Sequence, residues 1–298
     1  MTHRTRSPHS PCPNHPAEGA DTPGPVVSAS APAARDTPGG LPPWRPPVPP
    51  APVLTVARGA GRAAVRLGAV AAAAGALGHV VPAGSWLPGV RRALLPRLAG
   101  LGSTTHVALT FDDGPDPATT PRFLDLLDLL DVRATFFVLG ESVLRHPGLG
   151  AEIAGRGHEL AVHGWRHTRP WLPDPARDHR EIARARDLIA DLAHRRPIWY
   201  RPPYGILTGG RWLGAVRCGL RPVLWSAWGR DWTADATPES VLGTVCRDLT
   251  GGGTVLLHDT DRTTAPGAWQ ATLAMLPDLV AHCREAGWAV GRLDRHGL

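Results

Sequence analysis

From residue 105 onward, short blocks of apolar residues alternate with longer amphipathic stretches. The blocks His106–Phe111, Ala134–Leu139, His158–His163, Ile198–Tyr204, Pro222–Trp228, Gly253–His258 and Trp288–Leu293 have the length and composition of buried strands. Between them, "TTPRFLDLLDLLD" sets Phe123, Leu126, Leu127 and Leu130 at the i, i+3, i+4, i+7 spacing of one helix face, with Pro121 suited to the first turn. "ARDHREIARARDLIADLAH" puts Ile182, Ile189 and Leu192 on one face, and a third helical pattern spans about residues 268–286. Strands and helices alternating in this order predict βα units and a mainly parallel sheet. Seven strands in about 190 residues predict an α/β fold, a small (β/α) barrel rather than two domains. No internal repeat is visible.

The first hundred residues follow a different pattern. Residues 1–52 carry 15 of the 32 prolines and almost no apolar periodicity, so a disordered Pro-rich region is expected over residues 1–60. The next segment, 61–103, is Ala-rich and helical in character, and its run "AAVRLGAVAAAAGALGHVVP" at 63–82 is the most continuous apolar stretch in the chain. From Leu67 to Pro82 it is only 16 residues, with His79 inside, which is short for a spanning helix of about 20 residues. A late export signal, a weak membrane anchor and a helix packed on the domain all suit it. The catalytic unit is expected to begin at residue 104 and run to 298.

Charge changes the picture little. The net charge of +6 invites a nucleic-acid partner, but every basic residue is Arg, and the excess sits at one end. Residues 1–104 hold 10 Arg and 3 acids, whereas residues 105–298 hold 22 Arg and 23 acids. The folded part is therefore nearly neutral, and no nucleic-acid partner is expected. Cys12, Cys218, Cys246 and Cys283 are too few and too scattered for a disulfide framework or a thiolate metal site.

In a βα barrel the chemistry sits at the C-terminal ends of the strands. Those ends carry Asp112 and Asp113 in "TFDDGP", His163 and His167 in "HGWRH", Arg201 and Tyr204 in "RPPYG", Asp231 and Trp232 in "GRDW", and His258 and Asp259 in "LLHD". His163 and His167, at a strand-to-helix turn, can face one cation, with a carboxylate from Asp112 or Asp113 completing the protein ligands. The other aspartate would then act as a general base. A cation would also offset the repulsion between two adjacent carboxylates. Asp259 and Asp261 are expected to be structural, and His106, His158 and His282 to have no functional role.

These five motifs, in this order, resemble those of the polysaccharide deacetylases, the NodB-homology or carbohydrate esterase family 4 enzymes, over about residues 104–298. The resemblance implies a distorted barrel of about seven parallel strands and metal-dependent removal of acetyl groups from N-acetylated sugars. It implies Asp112 as general base, and Asp113, His163 and His167 as ligands of a divalent cation, Zn2+ first, with Co2+ or another ion as alternatives. Arg201 would orient the base, and Asp231 would tune His258, the general acid. The Tyr204 backbone N–H would help hold the oxyanion, and Trp232 and Leu256 would wall the acetyl-methyl pocket. Two departures stand out: Gly164 replaces the usual Ser or Thr, and Trp228 stands where an Asp often precedes the Asp-Trp pair. The expected partner is a glycan containing N-acetylglucosamine, in peptidoglycan, a chitin-like oligosaccharide or a related sugar, in the cell envelope or outside the cell. A non-sugar amidase and an inactive glycan-binding module are the other readings, and residues 63–82 would give at most weak membrane association.

Overall fold

The computed structural model describes residues 57–298, with side chains from residue 61. The disorder expected for residues 1–60 lies outside the described residues, except that helix α1 (Ala57–Val80) has already begun by residue 57. A 3-10 turn, Val81–Trp86, and α2 (Pro88–Leu94) lead to the barrel. Its first half comprises β1 (His106–Asp112), α3 (Thr120–Leu129), β2 (Thr135–Val138), α4 (Gly140–Arg145), α5 (Pro147–Gly155), β3 (Glu159–Val162) and α6 (Pro175–Ala193). The second half comprises β4 (Trp199–Tyr200), α7 (Gly209–Arg217), β5 (Arg221–Pro222), β6 (Ala227–Trp228), α8 (Pro238–Asp248), β7 (Thr254–His258), α9 (Trp269–Glu285) and β8 (Ala289–Gly291).

All pairings are parallel, in the order β5-β4-β3-β2-β1-β7-β6, and β8 pairs with the start of β1. The sheet curls into the distorted (β/α) barrel expected, with helices outside. Strand alternation sorts the side chains. Val107, Leu109 and Phe111 join the main core with Phe123, Leu127, Ile182 and Met275 from the helices. Ala108 faces the other way, into a small inner cluster with Phe137, Ala161, Trp199, Val223 and Leu293. The same alternation puts Thr110 and Asp112 on that inner face, so the barrel interior turns from apolar to polar toward the strand ends. Pro121 opens α3, and the helical patterns at 175–193 and 269–285 fall within a residue or two of their expected bounds.

One expected strand is corrected. Pro222–Trp228 is not a single ladder but two short ones, β5 on β4 and β6 on β7, at opposite edges of the sheet. Val223–Ser226 carries the chain from one edge to the other, so it cannot pair fully with either. Residues N-terminal to the expected boundary at 104 fill this seam. Leu224 N–H donates to Leu98 O (2.7 Å), and Thr254 Oγ1 donates to Gly100 O (2.6 Å). Arg91 is 2 % exposed and donates to Trp225 O (2.7 Å) and Ser85 O (3.0 Å), while Arg92 donates to Ser226 O. The compact unit accordingly takes in the segment before residue 104 together with the barrel. The expected strand Ile198–Tyr204 also shortens, to Trp199–Tyr200, because Pro202 and Pro203 lack the N–H groups a ladder needs.

Burial, followed by repulsion from Arg92 and Arg201, lowers the Arg91 guanidinium to about 10, so it remains charged at neutral pH. Replacing it by Met leaves the carbonyls of Ser85 and Trp225 without their donor, at ~1–3 kcal/mol for each buried unpaired group. Arg91→Met is therefore expected to lose roughly 2–6 kcal/mol in urea unfolding. A loss under about 0.5 kcal/mol, the range of ordinary surface changes, would show that the seam does not depend on it.

Candidate active site

β1 ends between β2 and β7, with Asp112 in register with both Phe137 and His258. Its carboxylate points into the barrel. Arg201 Nη1 donates to Asp112 Oδ1 (2.7 Å) and to Thr110 Oγ1 (2.8 Å), and Nη2 donates to Leu224 O (2.8 Å). The Arg201 guanidinium is fully buried, 4.0 Å from the centre of the Phe137 ring.

The chain leaves the strand at Asp113 in a left-handed conformation (φ 78°), which sends the second carboxylate elsewhere. Asp113 Oδ1 lies 3.1 Å from His163 Nε2 and 3.4 Å from His167 Nε2. These approaches are not aligned as hydrogen bonds, and Asp113 Oδ1, His163 Nδ1 and His167 Nδ1 are buried without partners. The potential ligand atoms of Asp113, His163 and His167 all lie within 4.8 Å of one another. One carboxylate oxygen and two imidazole nitrogens converging in this way, with a buried oxygen unpaired, fit a divalent cation. Burial would raise the Asp113 carboxyl, but the adjacent His163, with His258 and His167, holds it well below the usual carboxylate range. Gly164, between the histidines, adopts φ 107°, so the departure from Ser or Thr matches a backbone that favours glycine.

His258 ends β7. Its Nδ1 is 2.9 Å from Asp231 Oδ1, and its backbone N–H donates to Asp231 Oδ2 (2.8 Å), which also accepts from Thr272 Oγ1 (2.8 Å). Asp231 is thus held by three groups at 1 % exposure. Burial would lower the His258 imidazole, but the charge and hydrogen bond of Asp231, then Asp113 and Asp112, raise it to about 10. Its Nε2 is 3.9 Å from Asp113 Oδ2, so it faces the same space.

The remaining expected residues lie around this centre. Tyr204 has φ 60°, and its ring centre is 4.2 Å from that of His167. Trp232 meets His258 edge-on at 6.1 Å, and Trp228 lies 5.0 Å from Trp232. Trp228 therefore extends an aromatic wall where the family pattern often has an Asp. Leu256 is 4 % exposed and cross-paired with Trp228 and Thr110.

Thr263 was not anticipated, whereas Asp259 was expected to be structural. Thr263 Oγ1 donates to Asp113 Oδ2, fixing that carboxylate so that Oδ1 faces the histidines. Asp259, completely buried, accepts from Thr120 Oγ1 and lies so close to Gly114 that a Cβ there would come within 2.6 Å of Asp259 Oδ2. Burial, with the charge of Asp113, pushes the Asp259 carboxyl up to about 7. The "HD" pair hinted at Asp259, but Thr263 sits in an irregular loop with no pattern to mark it.

Comparison with known proteins places this barrel and its polar rim in a family. Residues 101–223 match the family model described as Polysaccharide deacetylase. The peptidoglycan-N-acetylglucosamine deacetylase PgdA of Listeria monocytogenes is 34% identical over 174 residues, 57% of this chain and 36% of that protein. The chain thus spans about a third of that relative's length. A chitooligosaccharide deacetylase of Bradyrhizobium is 37% identical over 160 residues, 53% of this chain and 73% of the relative. The crystal structure of the Bc1960 peptidoglycan N-acetylglucosamine deacetylase superposes with a TM-score of 0.60 at 28% identity, covering 66% of this chain and 90% of that one. The chain belongs to the polysaccharide deacetylase family.

The His258–Asp231 pair has a pH signature. A folded value of about 10 lies above the unfolded value of about 6.5. The pair's stabilisation is therefore complete below pH ~6.5 and is lost as pH rises toward ~10. In chelator, the stability advantage of wild type over Asp231→Asn should shrink across that interval in urea unfolding. Parallel curves from pH 6 to 10 would contradict the coupling.

Proposed function

We propose that this protein is a metal-dependent deacetylase that hydrolyses N-acetyl groups of glycans containing N-acetylglucosamine, releasing acetate and a free amine. The observation that carries this reading is the pairing of two opposite proton-handling groups about one metal-ligand cluster. Asp112 is held by Arg201, and His258 by Asp231, on either side of Asp113, His163 and His167. A divalent cation bound by those three residues, with Zn2+ the first choice for such a donor set, would supply the positive charge that polarises an amide carbonyl and acidifies water.

The chain's own residues handle the protons. Asp112, oriented by the hydrogen bond from Arg201, takes the proton of the attacking water. His258, cationic through Asp231, gives its proton to the departing nitrogen, which is otherwise a poor leaving group. Tyr204 N–H is assigned to the developing oxyanion, a kind of contact whose loss costs ~10²–10³ in rate. Trp232 and Leu256 are assigned to the acetyl methyl group. The names of the Listeria and Bradyrhizobium relatives support peptidoglycan or chito-oligosaccharide as the substrate class, and so a site of action in the cell envelope. No position of the proposed machinery is vacated, which disfavours the inactive-module reading.

The test separates the adjacent aspartates. Acetate release from chito-oligosaccharides and peptidoglycan fragments is measured beside bound metal. Asp112→Asn should keep metal affinity within a few-fold and lose ~10²–10⁴ in kcat, with the acidic limb of the pH–rate profile removed. His258→Ala should keep metal and lose the basic limb. Asp113→Ala, His163→Ala and His167→Ala should each lose both metal and turnover. If Asp112→Asn releases its metal while Asp113→Asn retains it, the two roles are reversed.

A further inference from the structure

α1 is a 24-residue helix, about 36 Å long at 1.5 Å per residue, against a hydrocarbon core of about 30 Å. The stretch Gly61–Trp86 has a mean hydropathy of 1.6, and its apolar window is not buried against the protein. Val65, Leu67, Val70 and Leu77 are each more than 60 % exposed. A helix apolar around its circumference and uncovered by protein needs an apolar surrounding.

The surface at the end of this helix is apolar too. Trp86, Leu87 and Val90 are exposed on the turn and α2, Trp212 on α7, and Trp171 and Leu172 (77 % and 83 % exposed) on the loop after His167. A groove of about 500 Å³ joins Leu87 and Val90 to Trp212. His79 Nε2 is 3.4 Å from Pro170 O, and Gly78 O lies against Gly209, so the helix end is fastened to both the loop and α7. Exposed tryptophans at the end of a membrane-length helix have the composition of an interfacial aromatic belt.

This collar adjoins the candidate active site. Trp86 Cδ1 is 3.5 Å from where a Cβ of Gly205 would lie, and the ring of the neighbouring Tyr204 packs at a tilt against His167. Exposed Arg169 lies over the Tyr204 ring at 4.6 Å, between His167 and Trp171, where it can meet a lipid phosphate. We propose that the collar lies in the bilayer interface, that the catalytic rim opens onto the lipid surface, and that the substrate is an N-acetylated sugar carried on a membrane lipid. The substrate rests on the deacetylase reading; the docking does not. A lipid surface is favoured over a protein partner because the collar continues directly from the membrane-length helix.

The full chain is reconstituted in phosphatidylethanolamine–phosphatidylglycerol vesicles with plain or brominated acyl chains. Brominated chains should quench tryptophan fluorescence more in wild type than in Trp171→Phe. N-acetylglucosamine linked through phosphate to a polyprenyl chain in those vesicles should be deacetylated with kcat/KM at least ~10-fold above a soluble N-acetylglucosamine oligomer, because both partners are concentrated at one surface. Trp171→Ser and Leu172→Ser should bring the vesicle substrate down to the soluble rate and leave the soluble rate unchanged. Equal bromine quenching in wild type and Trp171→Phe would overturn the docking, since α1 alone cannot produce that difference. A dimer that shields Trp171 from bromine would overturn it as well. Equal kcat/KM on the two substrates, with the soluble one turned over, would overturn the lipid-linked substrate while leaving the deacetylase reading intact. Acetate released from neither substrate would overturn the deacetylase reading and the substrate together.

Discussion

The buried guanidinium of Arg201 is the constraint on which the interior depends. A cation with no exposure must find its partners inside the fold or cost several kcal/mol. Arg201 finds them on two parts of the barrel at once: Asp112 and Thr110 on β1, and the carbonyls of Val223 and Leu224 on the segment crossing the seam. Phe137 supplies a ring face beneath it. The residue that orients Asp112 therefore also ties the first strand to the segment where the sheet changes edge. The geometry of the candidate site and the joining of the barrel share one set of hydrogen bonds.

Around it the rim gathers four buried carboxylates, and each is given different company. Asp112 has Arg201, and Asp113 has two imidazoles and the Thr263 hydroxyl. Asp231 has His258 and Thr272, and Asp259 has Thr120 alone. Like charges this close cannot all remain ionised without compensation. The outcome is graded: Asp113 is held ionised, whereas Asp259, fully buried and close to the charge of Asp113, is pushed up to about 7. Four copies of one side chain are thereby set apart by what surrounds each of them.

The segment before the barrel belongs to the same account. Because Val223–Ser226 serves two sheet edges, its backbone groups need donors and acceptors from elsewhere, and Arg91, Arg92 and Leu98 provide them. The turn holding Ser85 and Trp86 is thereby fixed against Trp225 and Gly205, immediately behind Tyr204. What precedes the barrel in the chain is thus part of the wall of the site.

Much of this was legible in the chain alone. Apolar blocks located the strands, because a parallel sheet covered on both faces needs continuous burial, as β1 and β2 have. The acids and histidines just beyond them marked the rim, because side chains at strand ends must face the same opening. The motifs distinguished Asp112 from Asp113 only through resemblance; spacing left either free to meet the histidines. The tertiary structure decided that point, through a left-handed turn at Asp113 that no periodicity reports. It also decided the splitting of Pro222–Trp228, the role of Arg91, and the reach of Thr263 to Asp113 across 150 positions. Periodicity records which face of an element is buried, whereas pairings between irregular segments far apart in sequence exist only once the barrel has brought them together.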